Sequence, residues 1–140
     1  MQIVPMSVEN VPEVHEIEKI CFNDPWSIST LEAQLLTDHA RYFVAYIDDE
    51  VAGYAGMWQF GDEGEIINFA VHPKFRKRGI ADSLMDKCKT ICKRIYLEVR
   101  EGNAPARCLY EKHGFAAVGV RKNYYSNPTE NAIIMLLEGV

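Results

Sequence analysis

The stretch that decides the fold is residues 65–81, which read EIINFAVHPKFRKRGIA. Residues 65–71 are mainly apolar, which predicts a strand that ends at the following His72-Pro73. Four of the five residues 74–78 are basic, and Gly79 follows them. From Ile80 onward apolar residues recur with a period near 3.6, which predicts a helix. A basic loop that enters a helix brings free backbone N–H groups and positive side chains together, so it is a candidate anion site.

Two other interpretations of this basic loop stay open on charge alone. Residues 74–78 also fit a solvated basic turn or a targeting patch, since positive charge by itself does not select a ligand. Two phosphate-binding motifs are absent from the sequence: GxxxxGK followed by Ser or Thr, and GxGxxG. A P-loop domain and a dinucleotide-binding domain are therefore excluded.

Upstream of this stretch, the pattern predicts one strand, two helices and two further strands. Ile3-Val4 fits a short strand, and an amphipathic helix follows, with apolar side chains at Val8, Val11, Val14, Ile17 and Cys21. After a break at residues 23–26, Ser29 and Glu32 suggest a capping box for a second helix. Residues 42–47 and 51–60 are β-type runs with short turns, so with 65–71 they predict an antiparallel meander.

Downstream, helices and strands alternate. The helix that starts at Ile80 continues to Ile91, and residues 94–99 form a strand. Asn103 is a good N-cap and Gly114 a good stop, so residues 104–113 predict a short helix, and closing strands follow at 115–120 and 132–137. The predicted order is β-α-α-β-β-β-α-β-α-β-β, a mixed α/β fold.

Composition sets the broad class. The 140 residues are 48% hydrophobic and 25% charged, which predicts a single domain over residues 1–140. A net charge of −5 argues against general nucleic-acid binding. No apolar run is long enough for a membrane span, and the N-terminus does not resemble a signal peptide, so we expect a cytoplasmic protein without a membrane partner. The four cysteines form no CxxC pair, so we expect reduced thiols and no metal.

Residues 71–81 resemble the coenzyme-A motif (Q/R)xxGx(G/A) of the GNAT family of N-acetyltransferases, with Arg76, Gly79 and Ala81 at the motif positions. The resemblance implies the GNAT fold, a central, mostly antiparallel twisted sheet flanked by helices. It also implies acetyl-CoA as co-substrate. The pyrophosphate would lie on the backbone N–H groups of the loop, and the pantetheine arm would pair with the preceding strand. The implied cofactor-binding residues are Phe69, Ala70, Val71, Arg76, Lys77, Arg78, Gly79, Ile80, Ala81 and Asp82.

Two residues are candidates for acid–base chemistry. Glu98 is a lone carboxylate within the apolar run at 95–99, on the opposite strand face from Ile95, Leu97 and Val99. A solvated strand face or an ion pair with Arg100 would explain it equally well. Tyr110 shares a stripe of the short helix with Asn103 and Arg107. Tyr110 could instead be a core aromatic, and Asn103 a plain N-cap.

A narrower resemblance is to the RimI branch of the family, whose members acetylate the N-terminal alanine of a small-subunit ribosomal protein. The matching segments are residues 22–27, which include Pro25-Trp26-Ser27, residues 97–100, Asn103, residues 109–111 with Gly114-Phe115, residues 121–125 and residues 132–135. The resemblance implies Glu98 as general base, Tyr110 as general acid toward the coenzyme thiolate, and Asn103 as an acetyl-CoA contact. By the same analogy, a backbone N–H near Val71 would stabilise the oxyanion.

The acceptor side is less defined by the sequence. Trp26 and Tyr124, with Tyr42 and Tyr125, are aromatics near predicted loops or strand ends and are candidates to grip a peptide N-terminus, although rim or core packing also explains them. The resemblance suggests a ribosomal protein N-terminus as partner. Acetylation of a small amine or a lysine side chain, and a coenzyme-A-binding regulator without catalysis, remain alternatives. RNA binding through residues 74–78 would require steeply salt-dependent affinity.

Overall fold

The computed structural model describes residues 1–139 and contains seven strands and four α-helices. The strands are β1 (Gln2–Pro5), β2 (Ala40–Ile47), β3 (Glu50–Phe60), β4 (Glu63–Val71), β5 (Arg94–Arg100), β6 (Ala116–Tyr125) and β7 (Glu130–Glu138). The helices are α1 (Val11–Cys21), α2 (Ile28–Leu35), α3 (Ile80–Ile91) and α4 (Ala104–Lys112). Single 3-10 turns at Val8–Asn10 and Pro73–Phe75 precede α1 and the loop before α3. The predicted order of strands and α-helices is confirmed.

All seven strands form one sheet in the order β1-β2-β3-β4-β5-β7-β6. Every neighbouring pair is antiparallel except β4 and β5, which are parallel because α3 crosses over between them. The mostly antiparallel mixed sheet that the resemblance implied is therefore confirmed.

Helices cover both faces of the sheet, and each face has its own core. On one face α3 buries Ile80, Leu84 and Cys88 against the sheet. On the other face α1 and α2 bury Val14, Ile17 and Leu31. These are the positions that the helical period selected, since the apolar stripe of each helix faces the sheet.

Two local predictions are corrected. The N-cap of α2 lies two residues before the predicted one, because Ser27 takes the extended backbone of an N-cap and its Oγ accepts the Thr30 N–H at 3.1 Å. Ser29 therefore lies inside the helix. Strand β6 continues past the predicted end at residue 120, because pairing with β7 holds the polar segment up to Tyr125 in the sheet. Such pairing is tertiary and leaves little trace in local sequence.

The only parallel pair of the described sheet is also incomplete. Strands β4 and β5 pair at Glu63–Arg94, Gly64–Ile95 and Glu65–Tyr96. A bulge in β4 follows, since Ile66 pairs with Met57 of β3 while Asn68 pairs with the adjacent Gly56. Beyond it the two strands separate, and a cleft opens between the end of β4 and the end of β5.

Within residues 1–139 no helix combines the length and apolar character needed to cross a bilayer. The same residues contain no group of three or more His, Cys, Asp or Glu side chains placed to hold a metal ion. The four cysteines are free thiols.

Candidate active site

The separation of β4 and β5 opens into a cavity of about 790 Å³. Its central walls are Phe69 of β4, Leu97 to Val99 of β5 and Tyr110 of α4. Residues 22–26 form one side of its outer end and residues 124–128 the other; we call these two segments together the acceptor wall. The cavity brings six predicted site residues together, namely Trp26, Phe69, Glu98, Asn103, Tyr110 and Tyr124.

Glu98 is the carboxylate of β5 that faces this cavity. Its side chain is only 19% exposed, and its Oε2 lies 3.1 Å from Nε of Arg121. That ion pair lacks hydrogen-bond geometry, so Oε2 is a buried oxygen without a hydrogen-bond partner among the described residues. The predicted alternative of an ion pair with Arg100 is wrong, since Arg100 pairs with Glu130 at 3.2 Å. A buried carboxylate oxygen with a free lone pair is a suitable proton acceptor.

Tyr110 of α4 lines the same cavity. Its ring packs edge-on to Phe69, with 6.3 Å between centroids, and against Phe115 at 5.9 Å. Burial raises the pKa of the Tyr110 hydroxyl to about 12, with smaller contributions from Tyr125 and Cys88. Tyr110 is thus a core aromatic and a cavity residue at once, and its hydroxyl keeps its proton at neutral pH.

Asn103 caps α4, as the sequence predicted. Its Oδ1 accepts the Ala106 N–H at 3.2 Å. The side chain also borders the cavity, so capping and ligand contact are compatible. Arg107, predicted on the same stripe, donates to the Glu101 carbonyl at 2.9 Å and does not line the cavity.

A second, small cavity of about 140 Å³ lies at the start of α3. It is formed by Val71, Phe75 and the segment 76–82, which we call the donor loop. Gly79 has a φ of 77°, a left-handed conformation that suits glycine, and a Cβ built there meets no atom within 4 Å. The donor loop therefore presents open backbone at a helix start, the arrangement that suits a phosphate group.

Three of the four basic side chains in residues 74–78 have partners within the protein. Arg76 donates to the Val71 carbonyl at 3.3 Å, and Arg78 lies over the Phe75 ring at 5.5 Å. Lys74 pairs with Glu50 at 3.2 Å. Anion binding at this loop would accordingly depend first on backbone N–H groups, with the side-chain charges adding attraction.

The remaining predicted coenzyme contacts lie beside these two cavities. Val71 borders the small cavity and Phe69 the large one. Ala70 points into the core with α1, so only its backbone is available to a ligand. Asp82 borders the small cavity, but its carboxylate binds His113 Nε2 at 2.8 Å and Lys112 at 3.0 Å, which connects the start of α3 to the end of α4. These contacts lower the pKa of Asp82, with the His113 hydrogen bond as the largest cause.

Side-chain hydrogen bonds hold the acceptor wall. Arg100 donates to the Pro128 and Ser126 carbonyls, each at 2.9 Å, and its guanidinium lies 4.5 Å from the centre of the Tyr125 ring. The two halves of the wall also meet, since Nδ2 of Asn23 donates to the Asn127 carbonyl at 2.6 Å. The neighbouring Tyr124 is half exposed and lies 5.8 Å from Arg121.

Sequence reasoning missed two buried polar residues of the cavity, Glu18 and Asn68. Asn68 had the same signal as Glu98, a polar residue in an apolar strand. Glu18 falls among Val14, Ile17 and Cys21 on the inner stripe of α1, where a carboxylate is unusual. Both signals were present in the sequence, and only the tertiary structure connects them with the cavity.

Comparison with known proteins agrees with this architecture. The sequence model of the acetyltransferase (GNAT) family matches residues 11–115. A Bacillus subtilis protein provisionally named a ribosomal protein bS18-alanine N-acetyltransferase is 38% identical over 136 residues, covering 93% of this chain and 90% of the relative. The ribosomal protein bS18-alanine N-acetyltransferase of Salmonella typhimurium is 34% identical over 141 residues, with coverages of 94% and 93%.

Solved structures give the same result. The crystal structure of the ribosomal-protein-S18-alanine N-acetyltransferase from Escherichia coli has a TM-score of 0.88 and 29% identity, covering 97% of this chain and 92% of that one. The resemblance seen in residues 71–81 and in the RimI-type segments is confirmed. The chain therefore belongs to the GNAT family of acetyltransferases and is an acetyl-CoA-dependent N-acetyltransferase.

Proposed function

We propose that this enzyme acetylates the α-amine of an N-terminal alanine on a small-subunit ribosomal protein. The observation that carries the proposal is that Glu98 and Tyr110 line one cavity together with an aromatic acceptor wall, while the donor loop borders a second cavity at the start of α3. The relatives named for this reaction share about a third of their residues with the chain over nearly its whole length. Acetyl-CoA would be held by the backbone of the donor loop and by β4.

Glu98 would act as general base. An ammonium group is not a nucleophile, so the acceptor must first lose a proton. Glu98 takes up that proton, directly or through a water molecule. The neutral amine nitrogen then forms a bond to the thioester carbonyl carbon, and the positively charged nitrogen that results releases its second proton to solvent. The Oε2 atom of Glu98 has no hydrogen-bond partner among the described residues, so its lone pair is available to accept the proton.

Tyr110 would act as general acid. When the bond from the carbonyl carbon to sulfur breaks, the thiolate leaves with the electron pair, and the Tyr110 hydroxyl donates a proton to it. Tyr110 then regains a proton from solvent while Glu98 releases one, so both groups return to their starting state. The high pKa of Tyr110 ensures that the proton is present before each cycle.

The proposal is tested by intact-mass analysis of peptides incubated with the enzyme and acetyl-CoA. We expect a gain of one acetyl group on a basic peptide that starts with alanine. Two matched peptides and a free polyamine serve as controls. One peptide has the same sequence with a blocked N-terminus and an internal lysine, and the other has the same sequence starting with proline. Acetylation of the blocked peptide or the polyamine in preference to the alanine peptide would overturn the proposal and favour lysine or small-amine acetylation.

A further inference from the structure

Two side chains of helix α1, His15 and Glu18, hold the backbone of Trp26 in the acceptor wall, and we call this pair the clamp. Trp26 lies in the non-helical segment between α1 and α2, and its ring is partly buried against the core under α1. Its backbone N–H donates to Oε1 of Glu18 at 2.8 Å, and its carbonyl accepts from Nδ1 of His15 at 2.9 Å. His15 and Glu18 are one helical turn apart and face the same way, so both peptide groups flanking Trp26 are held from a single rigid helix.

Glu18 is fixed from its other side as well. Its side chain is buried, with 1% exposed, and Oε2 accepts the Tyr54 hydroxyl of β3. The side chain of Asn68, which interacts with the same carboxylate, accepts the Tyr42 hydroxyl at 2.6 Å. The carboxylate is therefore held directly by Tyr54 of β3 and by Asn68 of β4, and Tyr42 of β2 holds Asn68 in turn. Because the carboxylate also binds the Trp26 N–H, these strands fix the position of Trp26.

Burial of the ionised Glu18 carboxylate is energetically unfavourable. Desolvation raises the pKa of Glu18, and the hydrogen bonds from Trp26 and Asn68 and the charge of His15 offset the shift only partly. A folded-state pKa above the unfolded one means that the ionised group destabilises the fold as pH rises above its ordinary range. A residue kept at such a cost beside a cavity is more readily explained by a role at the site than by a role in stability.

We propose that Glu18, with His15, is a positioning residue that sets the place of Trp26 and thereby the affinity of the enzyme for its acceptor. The inference rests on the proposed function, in that the cavity beside Trp26 takes the acceptor. Glu18 contacts neither the donor loop nor Glu98 or Tyr110 through the hydrogen bonds described, so binding of acetyl-CoA should be independent of it.

The test uses the full chain with Glu18→Met, which removes the acceptor for the Trp26 N–H, and Glu18→Gln, which keeps a carbonyl oxygen in its place. We expect Glu18→Met to raise KM for an alanine-starting peptide by about tenfold, the effect of losing one hydrogen bond to a charged group. KM for acetyl-CoA should change by less than about twofold, and Glu18→Gln should restore most of the peptide affinity. Glu13→Gln is the matched control, because Glu13 accepts the Val51 N–H at 3.2 Å from the same helix and does not line the cavity.

A second readout is independent of activity. The chain has two tryptophans, so Trp58→Phe leaves Trp26 as the sole tryptophan fluorophore. In that background, Glu18→Met should increase quenching of Trp26 by acrylamide, and Glu13→Gln should not. If Glu18→Met does not fold, His15→Leu removes the other half of the clamp and should give the same changes at smaller size.

Three results would overturn the inference: unchanged quenching of Trp26 in both clamp variants, an equal rise in both KM values, or no rescue by Glu18→Gln. If the parent enzyme acetylates no peptide, the proposed function fails, and the quenching experiment still decides whether Glu18 and His15 position Trp26.

Discussion

In the proposed function, the donor loop and the acceptor wall are two ends of one site, and they are built in opposite ways. The donor loop is a continuous segment, residues 76–82, and it offers backbone groups at the start of a helix. The acceptor wall comes from two segments about a hundred residues apart, and side-chain hydrogen bonds from Glu18, Arg100 and Asn23 hold it. The difference suggests that donor binding tolerates side-chain changes but not backbone changes, whereas acceptor binding depends on individual side chains.

The largest expected effect is a loss of kcat on substitution of Glu98, the proposed general base. Glu98→Gln should lower kcat by about 10² to 10⁴, because the amide cannot take up a proton from the acceptor. KM for acetyl-CoA should change little, since Glu98 lies on β5 and away from the donor loop. Steady-state kinetics with the alanine peptide measure both. Glu101→Gln, an exposed carboxylate nearby, is the control, and wild-type turnover of Glu98→Gln across the pH range would refute the assignment.

Tyr110→Phe should cost about 10² in kcat while leaving both KM values nearly unchanged. Phenylalanine keeps the packing against Phe69 and Phe115, so the loss reports on the hydroxyl proton alone. Because the pKa of Tyr110 is about 12, the wild-type rate should not fall through Tyr110 ionisation below about pH 10. A pH–rate profile checks this, with Tyr96→Phe as the control. A variant as active as the parent would exclude Tyr110 as the acid.

Gly79→Ala tests the backbone dependence of the donor loop. A side chain at a φ of 77° is strained by roughly 1–2 kcal/mol, so the loop backbone should shift away from this conformation. If coenzyme binding has to restore the conformation, KM for acetyl-CoA should rise by about tenfold while peptide KM stays constant. Gly61→Ala is a matched control, since Gly61 has a φ of 64° with open space around it in the β3–β4 turn. It should lower stability similarly without changing either KM. Equal KM effects at both glycines would contradict the claim that binding of acetyl-CoA depends on the backbone of the donor loop.

Arg100→Lys tests the side-chain dependence of the acceptor wall. Lysine cannot reproduce the two hydrogen bonds to the Ser126 and Pro128 carbonyls, so peptide KM should rise by about three- to fivefold. KM for acetyl-CoA should not change. The control is Arg94→Lys, at an exposed arginine whose ion pairs are both 3.8 Å long. A rise confined to KM for acetyl-CoA would contradict the division into two ends.

The smallest effect is expected at Lys74. Its ammonium pairs with Glu50, and both side chains are about 60% exposed, so the ion pair contributes little. Lys74→Ala should change KM for acetyl-CoA by less than about twofold, and stability hardly at all. A large increase in KM would mean that side-chain charge, rather than backbone, dominates donor binding. Isothermal titration of coenzyme A at two salt concentrations distinguishes the two cases.

Much of the fold was predictable because its signals are local. The period of Ile80, Leu84 and Cys88 predicted α3, and Asn103 with Gly114 predicted the limits of α4 within one residue. One wrong prediction depended on non-local pairing, since strand β6 extends to Tyr125 because β7 pairs with it. The other was a choice between two nearby serines, and α2 starts after Ser27 because that residue takes the extended backbone of an N-cap.

The sequence by itself determined the order of elements, the donor loop and the two residues proposed for proton transfer, since each depends on a short segment with a recognisable pattern. Tertiary structure alone decided that β4 and β5 separate after three pairs, that Glu98 faces Arg121 rather than Arg100, and that Glu18 reaches Trp26. These facts depend on contacts between distant segments, and such contacts are fixed only when the sheet assembles.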